Sequence, residues 1–267
     1  MQIKYLLGAV LAFPFLPLLY FQGKHIRTNI PRLPEAKGPR GESGLEFNQI
    51  VRVMFIGEST IAGVGVETHE EGFAGSFALE FSDRIEKQIS WQVYAKSGYT
   101  AHQVHTKILP QLKGPNPDLI VIGLGANDAF RLSSPKKWKQ EVSAVIKGLQ
   151  ERFGHCPIIF TNMPPIKEFP AFTPLIKTVV GNLVELLGQE LEKLVKRFDQ
   201  VYYEGKRITL KDWKVRFPDK ASKGEFFSDG IHPSKLTYQI WAKDMVAFIM
   251  DNPKIARLFK DESYRQC

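Results

Sequence analysis

The sequence predicts a three-layer α/β/α domain built on a parallel sheet of about five strands. Two observations lead there. Short apolar runs rich in β-branched residues recur between residues 50 and 203, and segments with helical periodicity separate them. Strands that alternate with helices imply parallel pairing, with helices covering both faces of the sheet.

Residues 50–56 (IVRVMFI) form the first run, and its near-continuous apolar character suits a strand buried on both faces. Residues 91–95 (WQVYA), 119–122 (LIVI) and 157–161 (PIIFT) repeat the type, and 201–203 supply a fifth, shorter strand. Helical patterns occupy 73–88, 101–112 and 135–152. The strongest helix covers 174–198. Thr173 caps it and Pro174 suits its first position. Ile176, Val179, Val180, Leu183, Leu187, Leu191, Leu194 and Phe198 recur at steps of one, three or four and build one apolar stripe. A last helix spans about 234–250.

Composition narrows the class. Hydrophobic residues make up 43% and charged residues 24% of the 267. Both are near globular averages of roughly 45–50% and 25%, so disordered, collagenous and multi-span membrane chains are excluded. The net charge of +8 permits contact with an anionic surface without identifying one. No aromatic-interleaved basic platform for nucleic acid is evident. Cys156 and Cys267 are too few for a disulfide scaffold or a cysteine zinc ribbon, and both are expected as free thiols.

Residues 5–21 carry no charge and lie between Lys4 and the basic residues Lys24, Arg27 and Arg32. At 17 residues the run reaches the short end of the ~17–25 that span a bilayer, and Pro14 and Pro17 weaken it as a helix. It reads as a single N-terminal membrane anchor or a cleaved export signal. The basic flank favours a cytoplasmic C-terminal side and a signal-anchor reading the opposite, so the orientation stays open. The expected organisation is 1–22 anchor or signal, 23–48 linker rich in proline and glycine, and 49–267 the folded domain.

Ligands of open α/β sheets bind beyond the carboxyl ends of the strands, so chemistry is expected in the residues that follow each strand. Gly57-Glu58-Ser59-Thr60 follows the first, Ser97-Gly98-Tyr99 the second, and Gly123-Leu124-Gly125-Ala126-Asn127-Asp128 the third. Ser228-Asp229-Gly230-Ile231-His232-Pro233 precedes the last helix. Acyl transfer needs a nucleophile, a base, an orienter for the base and donors for an oxyanion, and these blocks hold such a set. Each block has a structural reading of its own. Ser59 suits a helix N-cap, and Asn127-Asp128 and Asp229-Gly230 suit turns. The Gly123-x-Gly125-x-x-Asp128 string lacks the third glycine of a dinucleotide fingerprint, and no Gly-x-Ser-x-Gly elbow or phosphate loop occurs.

Ser59 in GES, Gly98 in KSGYT, Asn127 in GAND and His232 in DGIHP stand in the order of the four conserved blocks of the SGNH (GDSL-like) hydrolase family, and residues 50–250 resemble it. The resemblance implies a flavodoxin-like sheet and a serine-dependent esterase that works through an acyl-enzyme without metal or organic cofactor. It implies catalytic roles for Ser59, Asp229 and His232. It also implies an oxyanion hole from the Ser59 and Gly98 backbone N–H groups and the Asn127 amide. The substrate class it implies is a small-molecule, lipid or glycan ester. Two alternatives are a carbohydrate O-deacetylase of the cell envelope and a catalytically silent, membrane-tethered interaction module. The first block departs from the family in reading Gly-Glu-Ser rather than Gly-Asp-Ser. Altered hydrogen bonding around the turn is expected from Glu58, not loss of the nucleophile.

Overall fold

Sheet order fixes the architecture. The computed structural model describes residues 2–216 and 223–260. Its elements run α1 (Gln2–Ala12), α2 (Leu16–Asn29), β1 (Arg40–Ser43), β2 (Ile50–Gly57), α3 (Phe73–Ile85), β3 (Gln88–Ala95), a short α4 (Ala101–Gln103) and β4 (Leu119–Gly123). They continue through α5 (Ala126–Phe130), α6 (Pro135–Phe153), β5 (Ile158–Phe160), α7 (Pro174–Val195), β6 (Val201–Tyr203), α8 (Leu210–Arg216), α9 (Lys223–Phe226), α10 (Lys235–Asp251) and α11 (Pro253–Lys260). The strands order as β1-β3-β2-β4-β5-β6. Pairing is parallel from β3 to β6, and β1 adds antiparallel to β3.

The five strands expected from the sequence are present, and β1 is a sixth. It lies inside the segment 23–48 expected as a linker, where Arg40 pairs with Gln92 and Ser43 with Ile89. Four polar or small residues give no apolar run, which is why the sequence conceals it. Helix α2 also reaches into that segment, to Asn29.

Side-chain alternation splits the core in two. Met54, Ile56, Ile120, Ile122, Ile158 and Phe160 point to one face and pack on α6 and α7. Val51, Val53, Phe55, Leu119, Val121 and Ile159 point to the other and pack on α3, α10 and α11. The cap expected at Thr173 forms, and two further helices are capped in the same way. The Ser134, Thr173 and Ser234 hydroxyls accept from the N–H groups of Lys137, Ile176 and Thr237.

Several boundaries differ for local reasons. Helix α3 stops at Ile85 because Glu86 turns left-handed at φ +53°, and β3 starts at Gln88, earlier than expected. The helix expected over 101–112 widens after α4 into a five-residue turn and then tightens. Pro110 explains this, since it offers no N–H and its ring crowds the carbonyl one turn back. Cys156 is a free thiol, and burial pushes it up to about 12. Cys267 lies outside the described residues.

Residues Ile3–Asn29 make one helical stretch long and apolar enough to cross a membrane. Pro14 and Pro17 sit in the first turns of its later segments, where the missing N–H costs nothing. Tyr5, Leu19 and Ile26 rest against the α6/α7 side of the core, and the Thr173 hydroxyl donates to Gln22 at 2.7 Å. Ile3, Val10, Leu11, Phe13 and Phe21 face outward.

Candidate active site

Numbered within the parallel set, the strand order is 2-1-3-4-5, and the direction of winding reverses between β2 and β4. A crevice at the carboxyl ends of such a pair is where ligands bind. Ser59 follows β2 and Asn127 follows β4, so the two stand on either side of it. Gly57 and Gly123 are paired across the two strand ends. A Cβ on Gly57 would come within 2.3 Å of the Gly123 carbonyl, so this close approach needs glycine.

Ser59 sits on a tight turn. The Glu58 N–H donates to the Gly123 carbonyl at 3.1 Å, and the Glu58 and Ser59 carbonyls accept from Ala62 at 2.8 Å and Val64 at 3.0 Å. The turn is tied both to the C-terminal histidine loop and to helix α10 that follows it. The buried Tyr238 hydroxyl donates to the Val64 carbonyl at 2.8 Å. The Ser228 hydroxyl lies 2.9 Å from the Gly65 carbonyl and 3.1 Å from that of Pro233.

On the histidine loop, Nδ1 of His232 is 2.8 Å from Asp229 Oδ2. Asp229 Oδ1 accepts the N–H groups of Ile231 at 2.9 Å and His232 at 2.7 Å. An ionised carboxylate only accepts, so Nδ1 carries the proton and Nε2 is left as the basic nitrogen. Burial alone would raise the Asp229 carboxyl. The hydrogen bonds from the His232 ring and from the His232 and Ile231 N–H groups outweigh it and hold the group below the usual carboxylate range. Gly230 turns the loop at φ +84°, and its carbonyl accepts from Ala171 at 3.2 Å.

Gly98 has φ +83°, and the direction its Cβ would take is open space. Its backbone N–H and that of Ser59 have no partner among the described residues. Both are therefore available to an incoming oxygen. Asn127 differs. Its amide nitrogen donates to Glu58 Oε2 and, at 3.1 Å, to the Tyr99 carbonyl, so both amide hydrogens already have acceptors.

Two buried carboxylates brace these loops, and neither role was expected. Glu58 Oε1 accepts from Ala126 N–H at 2.8 Å and Oε2 from Asn127 N–H at 3.0 Å. Burial pushes its carboxyl up to about 7 against these hydrogen bonds. Asp128 accepts from Ala101 N–H at 2.9 Å, and burial pushes it up to about 6. Glu35 makes a third brace from outside the domain expected to begin at 49. It accepts from Ser97 N–H at 2.7 Å and pairs with Lys96 at 3.0 Å. The acidic residue in each block was a legible signal for the first two. Nothing in the sequence pointed to Glu35, since 61 and 62 positions separate it from its partners.

The whole arrangement, from residue 55 to residue 240, matches the model of the GDSL-like lipase/acylhydrolase family. The chain belongs to that family. A GDSL-like esterase of Mycobacterium tuberculosis is 29% identical over a match covering 52% of this chain and 50% of the relative. The matched part thus spans about half the length of that curated protein. Among solved structures, the family 3 carbohydrate esterase of Clostridium thermocellum is similar at a TM-score of 0.56. It is 14% identical and covers 76% of this chain and 96% of its own. The esterase EstA of a Pseudoalteromonas species is similar at 0.52 and 16% identity, covering 75% and 99%. At those identities the likeness extends to the fold. As a member, the chain carries the esterase/lipase type of hydrolase domain.

Proposed function

We propose that the chain is a serine esterase that cleaves carboxylic esters through an acyl-enzyme. The observation that supports this most is the Asp229–His232 pair, held on a loop that Ser228 ties to the Ser59 turn while Tyr238 ties the following helix to the same turn. In this reading Ser59 Oγ attacks the ester carbonyl and His232 Nε2 takes its proton. His232 then returns the proton to the leaving alkoxide, and water repeats the cycle on the acyl-enzyme. Asp229 fixes the tautomer and stabilises the imidazolium. The Ser59 and Gly98 N–H groups and the Asn127 amide receive the oxyanion. Phe130, Phe169, Phe172 and Phe227 make a chain of ring contacts beside the oxyanion and histidine loops and seat both loops on the core.

The test is labelling by a fluorophosphonate, followed by hydrolysis of an acyl-chain-length series. A labelled Ser59 with turnover of p-nitrophenyl esters supports the reading. Absence of labelling points to a silent domain, and a strong preference for acetylated glycans points to a carbohydrate deacetylase. Residues 3–29 are the proposed membrane attachment, which would place the reaction at a bilayer surface.

A further inference from the structure

The Glu58 carboxylate joins the two sides of the catalytic crevice. It is carried by the residue before the nucleophile, yet its partners are all on the β4 side. Oε1 takes the Ala126 N–H, and Oε2 takes both the backbone N–H and the side-chain amide of Asn127. Glu58 is 2% exposed, so solvent does not compete for these bonds. Above about pH 7, where burial no longer keeps the Glu58 carboxyl protonated, the acceptor is charged, and hydrogen bonds to a charged acceptor are about twice as strong as neutral ones. The second Asn127 amide hydrogen rests on a neutral carbonyl, that of Tyr99, at 3.1 Å. The two hydrogens of one amide group are therefore held unequally.

Resting on the serine-esterase reading, we propose that Glu58 is a positioning residue for the oxyanion hole. It fixes the plane of the Asn127 amide across the crevice and leaves the amide hydrogen that is bonded to the Tyr99 carbonyl as the one that donates its hydrogen bond to the substrate oxygen. Only a carboxylate serves all three donors. A glutamine in its place would turn an NH2 toward an N–H, and an aspartate would stop one methylene short of the β4 loop.

The experiment is a double-mutant cycle in the full chain, with p-nitrophenyl butyrate as substrate and thermal melts as the check on folding. Glu58→Gln should lower kcat about 10²-fold, the scale of one lost oxyanion donor, with KM changed less than about twofold. Glu58→Asp should recover part of that loss. In an Asn127→Ala background, Glu58→Gln should cost less than about threefold more, because the residue it orients is gone. Unchanged kcat in Glu58→Gln, or losses that multiply in the double variant, would overturn the proposal. If Glu58→Gln does not melt cooperatively, Glu58→Asp takes its place in the cycle under the same criteria. Collapse of both overturns the proposal, since the residue then serves the fold. A parent chain inactive on every ester and unlabelled by phosphonate would overturn the serine-esterase reading and this proposal together.

Discussion

Ser59 and His232 stand on segments more than 170 positions apart in the sequence, yet the Ser228 hydroxyl ties their loops together and the Tyr238 hydroxyl ties the next helix to the Ser59 turn. If they work as a unit, Ser59→Ala and His232→Ala should each remove nearly all turnover, and the double variant little more. Kinetics of the three proteins on one soluble ester decide the matter, and losses that multiply would argue against a shared proton transfer. Glu58 supports a second prediction, about stability. Its folded carboxyl titrates near 7 against an ordinary 4.5, so the folded state holds the proton more tightly. The stability it contributes is complete below about 4.5 and is lost as the pH rises through about 7. The size is on the order of 3 kcal/mol, from 1.36 kcal/mol per unit. Asp128 acts in the same direction at lower pH, while His69, lowered by burial, acts in the opposite one. Denaturant melts of the parent and Glu58→Gln isolate the residue. The parent should lose stability relative to the variant across that window, and a gap that stays constant would place the charge in solvent.

Elements whose stability is local were legible, and those made by distant partners were not. β2, β4 and β5 each announce themselves as apolar runs, and α7 combines a cap, a first-turn proline and an unbroken stripe. β1 has none of these marks. It exists because β3 offers an open edge and because Glu35, a few residues before it, is pinned to Ser97 and Lys96. Three of the candidate blocks were legible from their place after strands and the fourth from its place before the last helix, whereas the bridge from Glu58 to Asn127 needed the β2–β4 pairing before it could be seen. A truncation series separates linker from domain. Removal of residues 1–30 should leave activity on small soluble esters and a cooperative melt. Removal of 1–44 strips the edge strand and the Glu35 brace, and should lower Tm by several degrees, at ~2–4 °C per kcal/mol for a domain of this size. Equal melts for the two would show β1 to be dispensable.

At the scale of the whole molecule, the outward-facing N-terminal helix is joined to the body that carries the candidate crevice through Gln22 and Thr173. The full-length protein should sediment with membranes and stay there in high salt, because apolar burial is not screened by ions as surface attraction is. Release by salt alone would mark the basic residues Lys24, Arg27 and Arg32 as the attachment. Between Asn29 at the helix end and Glu35, which is bonded to the Ser97–Gly98 loop, lie five residues, which even fully extended reach only about 20 Å. So short a leash turns diffusion in three dimensions into a patrol in two. For a protein seated in a bilayer, the rate would follow the number of ester molecules per unit area of membrane and not their concentration in the surrounding water. Diluting a lipid ester with inert lipid should then slow the reaction at constant total substrate, while adding buffer should not.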